Sequence, residues 1–182
     1  MPFFPSMPAD ALVKDVYSLS PASFRHWVHV EEAIMRGPSA FTPGERELMA
    51  AYVSQLNSCS YCHSSHSEAA VLLGVDRAVL EAIMVDVETA PVDPRFKPIF
   101  KFLRKLTQTP YKMVQADADA VYAAGWDERA LHDVIMVCCC FSFMNRLADG
   151  HGLPSDPALF KARAKRHAEE GYLSQYMKET ET

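Results

Sequence analysis

Residues 42–74 read TPGERELMAAYVSQLNSCSYCHSSHSEAAVLLG, and this stretch decides the architecture. Thr42 followed by Pro43 supplies an N-cap and a first-turn proline for a helix of about four turns over residues 44–56. Asn57 and Ser58 break that helix, a second begins near Cys59, and Gly74 stands where a left-handed residue ends one. The chain turns back at Asn57–Ser58, so the two helices are expected to form an antiparallel hairpin. Ala50, Ala51 and Ser54 are small enough to let them approach closely.

The 3.6-residue period continues on both sides, and no segment alternates with the period of two that a strand requires. Residues 10–19 read as a short amphipathic helix. Pro21 opens another, running through Trp27, Val30 and Ile34 to a stop at Gly37–Pro38. Downstream, Asp76 caps a helix through Leu80 and Ile83, and residues 87–94 form a proline-containing loop. The next helix carries Phe96, Ile99, Phe100, Leu103 and Leu106 on one side. A short alanine-rich helix over 115–124 ends at Gly125, and Asp127 caps a long apolar one over 131–147. Prolines 154 and 157 precede a final charged helix. Eight or nine helices joined by short loops make an all-α fold. Residues 134–144 are apolar nearly all round, which places that helix at the centre of a bundle or partly in a subunit interface.

A chain of 182 residues suits one domain, and 49% apolar residues are too many for disorder. The net charge of −5 and a pI near 5.8 argue against nucleic acid as a partner. Lys161, Arg163, Lys165, Arg166 and His167 form the one basic cluster, and Glu169 and Glu170 follow it, so it reads as a solvated helix face. No run approaches the roughly 18 uninterrupted apolar residues of a membrane span. Residues 1–10 hold three prolines and no basic region, unlike a signal peptide. The five cysteines fall in two knots, Cys59/Cys62 and Cys138–Cys139–Cys140, a pattern that suits a reducing cytoplasm better than a stapled secreted fold. In the apolar helix, Cys138, Cys139 and Cys140 read as small packing residues.

Chemistry concentrates in Glu47-x11-Cys59-Ser60-Tyr61-Cys62-x3-His66. Cys59 and Cys62, three apart at a helix start, share a face within disulfide reach. The positive end of the helix favours a thiolate there. His66 follows Cys62 by one turn, placed to exchange a proton with it. Glu47, on the preceding helix, comes beside the pair if the hairpin closes. Burial would then raise its pKa and let it accept or donate a proton. Together these make a redox arrangement. Three other readings compete. Zinc on Cys59, Cys62 and His66 lacks a second ligand pair unless His132 or His151 comes from a distant helix. A thioredoxin-like unit needs strands around its motif, and two cysteines can simply pack. Tyr61 and His63 are possible supporting groups that can equally pack or face solvent. His26 and His29 take surface or core roles by default, and Asn145–Arg146 reads as a helix-end cap or an ion pair with Asp149.

On an all-helical chain of this length, Glu-x11-Cys-x-x-Cys-x3-His resembles the AhpD-like alkylhydroperoxidase family of the carboxymuconolactone decarboxylase superfamily. Residues 143–149, FMNRLAD, resemble the Asn-Arg-x-Ala-Asp signature of its peroxidase-related branch. The resemblance implies a single AhpD-like helical domain over residues 1–182 with its redox core at about 42–150, oligomerising with copies of itself. It implies a peroxidase without haem, metal or other cofactor. Cys62 would attack the peroxide, Cys59 would resolve the sulfenic acid to a disulfide, and His66 and Glu47 would relay protons. The partners implied are a peroxide or other small-molecule substrate and a dithiol reductant, either protein or lipoyl-like. Neither nucleic acid nor membrane is among them. Well-known peroxidases of the family carry histidine where this chain has Tyr61, which implies weaker peroxide chemistry or a different dithiol reaction. The decarboxylating members lack the cysteine pair that this chain keeps. The alternative is a redox sensor or binding subunit of the same fold that does not turn over.

Overall fold

In the computed structural model, which describes residues 1–173, the chain forms nine α-helices and no strand among those residues. They are α1 (Val13–Tyr17), α2 (Pro21–Arg36), α3 (Pro43–Leu56), α4 (Ser60–Leu72), α5 (Arg77–Val85), α6 (Phe96–Gln108), α7 (Gln115–Ala123), α8 (Glu128–His151) and α9 (Pro157–Glu170), with a 3₁₀ turn at Pro110–Lys112. The all-α expectation is met.

Local chemistry sets the hairpin. The Thr42 hydroxyl accepts from the Glu45 N–H at 3.2 Å, and the Glu45 carboxylate accepts from the Thr42 N–H at 2.7 Å. This reciprocal cap starts α3. Glu47, Met49, Ala50, Ala51, Val53 and Ser54 are all fully buried, so α3 is enclosed on nearly every side. It packs most extensively on α4. At the far end of the hairpin, a Cβ on Gly44 would stand 2.8 Å from the Leu73 carbonyl oxygen, closer than any larger residue tolerates. Between the helices Ser58 takes a left-handed conformation with φ of 60°, the one non-glycine residue to do so among the described residues.

Two boundaries and one buried row differ from expectation. Helix α1 begins only at Val13, because the Asp15 carboxylate takes the Leu12 N–H at 2.7 Å and residues 8–11 close a turn of their own. Helix α2 buries Phe24, Val28, Glu31 and Met35, whereas Trp27 and Ile34 are half-buried and Val30 is exposed. The core row is therefore one position round from the Trp27–Val30–Ile34 row. Helix α8 is longer than expected, running past Asn145 and Arg146 to His151.

Helix α8 packs against α2, α3, α4, α6 and α7. By length and composition it is the only helix among the described residues apolar enough to cross a membrane, but half of its most apolar stretch is buried within the bundle. Cys138 and Cys140 are buried as expected; Cys139 is exposed, a correction that follows from its place on the outer side of the helix. Helix α9 lies along α4 and closes the bundle over the cysteine hairpin.

Candidate functional site

The left-handed turn at Ser58 delivers Cys59 to the start of α4, where its N–H donates to the Ser54 carbonyl at 2.9 Å. Cys62 follows in the first turn. Both cysteines are buried and free, and Cys62 is 4% exposed. Their environments differ. Hydrogen bonding from Cys59 is the main influence holding the Cys62 thiol below its ordinary range; burial opposes it, and the Asn145 amide and the Arg163 guanidinium add to it. The Cys59 thiol goes far the other way, because the same hydrogen bond and its own burial both favour its keeping the proton. The pair is therefore asymmetric, with the proton of Cys62 held less tightly than that of Cys59.

Behind the cysteines, α3 brings Glu47 to His66 on α4. One carboxylate oxygen is 2.6 Å from His66 Nδ1, and the other accepts from Arg36 Nη2 at 2.6 Å and from the Tyr172 hydroxyl at 2.9 Å. Arg36 also donates to the His167 carbonyl at 3.0 Å, tying α2 to α9. Glu47 is 0% exposed, yet its pKa is not raised. Burial pushes it up, but the charge and hydrogen bond of His66, followed by Arg36, outweigh burial and bring it down to about 2. The expectation of a raised Glu47 pKa is therefore corrected: the carboxylate is a fixed anion, not a proton carrier. An ionised carboxylate only accepts, so His66 holds its proton on Nδ1 and Nε2 is left to exchange one. The imidazole stands edge-on to Phe141 at 4.4 Å, which fixes its plane.

Cys62 and His66 open on a shared cavity of about 20 Å³, room for roughly one water molecule. Glu31 and Tyr17 border it on one side, and Arg163, His167 and Tyr172 on another. Glu47 is not among the lining residues; it supports His66 from behind. His167, 5.7 Å from His66 between ring centres, is held uncharged, first by burial and then by the His66 charge.

Other sequence candidates fall elsewhere. Tyr61 is buried, its hydroxyl accepts from the Val13 N–H at 2.9 Å, and Arg163 stacks on its ring at 3.9 Å. Burial first of all drives its pKa up to about 12. The Nδ1 of His63 meets the Ala51 carbonyl at 3.1 Å, an anchor between helices outside the cavity. His26 and His29 are exposed. Asn145 neither caps nor pairs with Asp149. It is 1% exposed in mid-helix, donates to the Ser54 hydroxyl at 2.9 Å and accepts from Asn57 at 2.9 Å. Arg146 returns to the Ser142 carbonyl at 2.7 Å. The basic cluster of α9 is not one solvated face: Lys161 and Lys165 are exposed, whereas Arg163 and His167 are buried toward the cavity. Among the described residues, no group of three or more His, Cys, Asp or Glu side chains is placed to hold a metal ion.

Residues 21–105, which carry Glu31, Arg36, Glu47, Cys59, Cys62 and His66, match the model of the carboxymuconolactone decarboxylase family. A peroxidase-related protein from Silicibacter sp. TM1040 superposes with a TM-score of 0.75 at 25% identity, covering 84% of this chain and 79% of that one. The alkylhydroperoxidase AhpD core of a peroxidase-related protein from Ralstonia eutropha JMP134 gives 0.74 at 23% identity, covering 82% and 78%. The family match over residues 21–105 and these two folds support the carboxymuconolactone decarboxylase superfamily for this chain. No curated protein sequence matches it.

The site draws on residues that sequence reasoning passed over. Glu31 and Arg36 come from α2, Arg163 and His167 from α9, and Tyr172 from just beyond it. Three had a visible signal. Glu31 stands in the Phe24–Val28–Met35 row, and Arg163 and His167 share a helical face with Phe160 and Ala164. Arg36 and Tyr172 had none.

Proposed function

We propose that this protein is a cysteine-based hydroperoxide reductase, or a peroxidase-related dithiol oxidoreductase, with Cys62 as nucleophile and Cys59 as resolving thiol. The observation that carries the reading is the asymmetry of the pair: Cys59, Asn145 and Arg163 all favour a thiolate at Cys62, on the one cavity it shares with His66.

Nε2 of His66 takes the Cys62 proton as the thiolate forms, while Glu47 fixes the ring, with Arg36 balancing the carboxylate. The thiolate attacks the peroxide, forming an S–O bond and breaking the O–O bond, and the expelled oxygen leaves as an alcohol or water once protonated. The Cys59 thiol then displaces water from the Cys62 sulfenic acid to give the disulfide, and a dithiol, protein or lipoyl-like, reduces it by exchange. No cofactor enters. A reducing compartment such as the cytoplasm keeps the pair ready between cycles, and assembly with further copies of the chain would cover exposed apolar residues of α2 and α8 such as Val30 and Phe143. Near-complete burial of Cys62 favours one second reading, a sensor that oxidises slowly and does not turn over.

One equivalent of hydrogen peroxide followed by mass spectrometry tests the proposal. The wild type should lose two thiols to a Cys59–Cys62 disulfide, Cys59→Ser should stop at an oxidised Cys62, and Cys62→Ser should not react. Turnover with a dithiol separates the enzyme from the sensor. A Cys62 unreactive toward every hydroperoxide would rule out both.

A further inference from the structure

Two carboxyl side chains are buried at this site, and the one facing the reacting atoms is not Glu47. Glu31 lies in the buried row of α2, 4% exposed, and borders the cavity that Cys62 and His66 share. Resting on the peroxidase reading above, we propose that Glu31 is the general acid that protonates the oxygen expelled from the peroxide when Cys62 attacks it.

The surroundings of Glu31 are those of a carboxylic acid kept neutral. Its one side-chain hydrogen bond among the described residues comes from the Tyr17 hydroxyl at 3.3 Å, and no cation is paired with it there. Arg36 is paired with Glu47, and Arg163, which lines the same cavity, lies over the face of Tyr61. Tyr17 is itself anchored, its hydroxyl 3.8 Å from the Met144 sulfur. Burial pushes the Glu31 pKa up to about 8, with the charges of Cys62 and Glu47 adding and Tyr17 opposing. Glu47, an equally enclosed carboxyl, is driven the opposite way by His66 and Arg36. Two carboxyls with such divided environments take divided roles: the ionised one orients, and the neutral one has a proton to give.

The step balances. The Cys62 thiolate and ROOH give Cys62 sulfenic acid and RO⁻; the Glu31 carboxylic acid transfers its proton, leaving ROH and a carboxylate. Cys59 thiol and the sulfenic acid give the disulfide and water. A dithiol then returns two electrons and two protons, one proton restoring the Cys59 thiol and the other Glu31, while Cys62 is left as thiolate. Glu47 is already ionised and His167 is held uncharged; His66 holds the proton it took from Cys62, and the Glu31 variants below separate the two donors.

The test compares hydrogen peroxide with peracetic acid in single-turnover oxidation of the reduced protein. Peracetic acid expels a carboxylate, which needs no proton at neutral pH. Glu31→Gln should slow the reaction with hydrogen peroxide by about 10²-fold or more, the range of a lost general acid, while the reaction with peracetic acid changes little. Glu31→Asp, which keeps the acid, should recover part of the hydrogen peroxide rate. Equal loss with both oxidants, or a Gln variant as fast as wild type with hydrogen peroxide, overturns the proposal. A wild-type Cys62 inert to both oxidants overturns the peroxidase reading itself, and shows before any Glu31 variant is made.

Discussion

The Arg36 guanidinium meets the Glu47 carboxylate at 2.6 Å, and the two ends of that ion pair sit in unlike surroundings: Arg36 keeps a partial opening to solvent, while Glu47 has none. Removing the cation strands a charge in the core. Arg36→Gln should therefore cost about 3 kcal/mol, the lower end for breaking a buried pair. Urea unfolding checks this as a lower midpoint at unchanged slope. A variant as stable as wild type would mean that His66 and Tyr172 suffice to hold Glu47.

Glu31 gives stability an unusual pH dependence. Its folded pKa, about 8, lies above the ordinary 4.5, so its contribution is intact below pH 4.5 and is lost as pH rises toward 8. The loss is at most about 1.4 kcal/mol per pH unit. Glu47 and His167 act at the acid end. The Glu47 pKa, about 2, lies below 4.5, so its stabilisation is present above pH 4.5 and fades as pH falls toward 2. His167, held uncharged by burial, also loses stability as pH falls. Other groups face Glu31, among them Tyr17, Cys62, Glu32 and Cys140. The informative quantity is therefore the difference between wild type and Glu31→Gln, measured by denaturant unfolding at several pH values. The variant should gain on wild type from pH 5 to 8, and a flat difference would contradict an uncharged Glu31.

Asn145 has a separable effect on the thiolate. Asn145→Ala removes a donor from Cys62, takes away the acceptor of the Asn57 amide, and leaves the Ser54 hydroxyl with its bond to the Ala50 carbonyl alone. The Cys62 thiol should titrate at higher pH, followed by thiolate absorbance in the ultraviolet with Cys138, Cys139 and Cys140 replaced by Ala. Stability should fall by about 1–3 kcal/mol, the cost of orphaned polar groups. An unchanged titration would assign the lowered pKa to Cys59 and Arg163 alone.

The cavity predicts a preference for small oxidants. With room of about 20 Å³ at Cys62, hydrogen peroxide should oxidise the wild type faster than cumene hydroperoxide. Val13→Ala, which trims the cavity wall, should narrow that gap without touching a hydrogen-bonding side chain. Stopped-flow rates with the two oxidants decide it; equal wild-type rates would mean that the wall opens readily.

Ser58 offers a gain in stability. A left-handed serine is strained by roughly 1 kcal/mol relative to glycine, and its φ is 60°. Ser58→Gly should raise Tm by about 2–4 °C for a chain of this size. A lower Tm would show that the chain entropy added by glycine outweighs the relief.

How much of this was legible depended on distance along the chain. The α3–α4 hairpin was written in local signals: the Thr42–Pro43 start, the Asn57–Ser58 break, the Gly74 stop. With the hairpin given, Glu47 beside His66 follows from spacing alone. The charge state of Glu47 does not, because it depends on Arg36 from α2 and Tyr172 from beyond α9, neither marked by any periodicity. Helix α2 carries apolar residues on two adjacent rows, so pattern alone does not select the row containing Glu31; packing on α8 does. Arg163 hides among exposed basic neighbours, and its contact with Tyr61 exists only once α9 has docked.

That docking puts the activation of Cys62 in the order of synthesis. The hairpin bearing both cysteines leaves the ribosome about a hundred residues before Arg163, His167 and Tyr172 do. Until α9 arrives, Cys62 lacks the Arg163 charge and Glu47 lacks the Tyr172 hydroxyl. The nascent chain thus carries a thiol without that cation, and the surroundings that lower the Cys62 pKa are complete only in a protein that has finished folding.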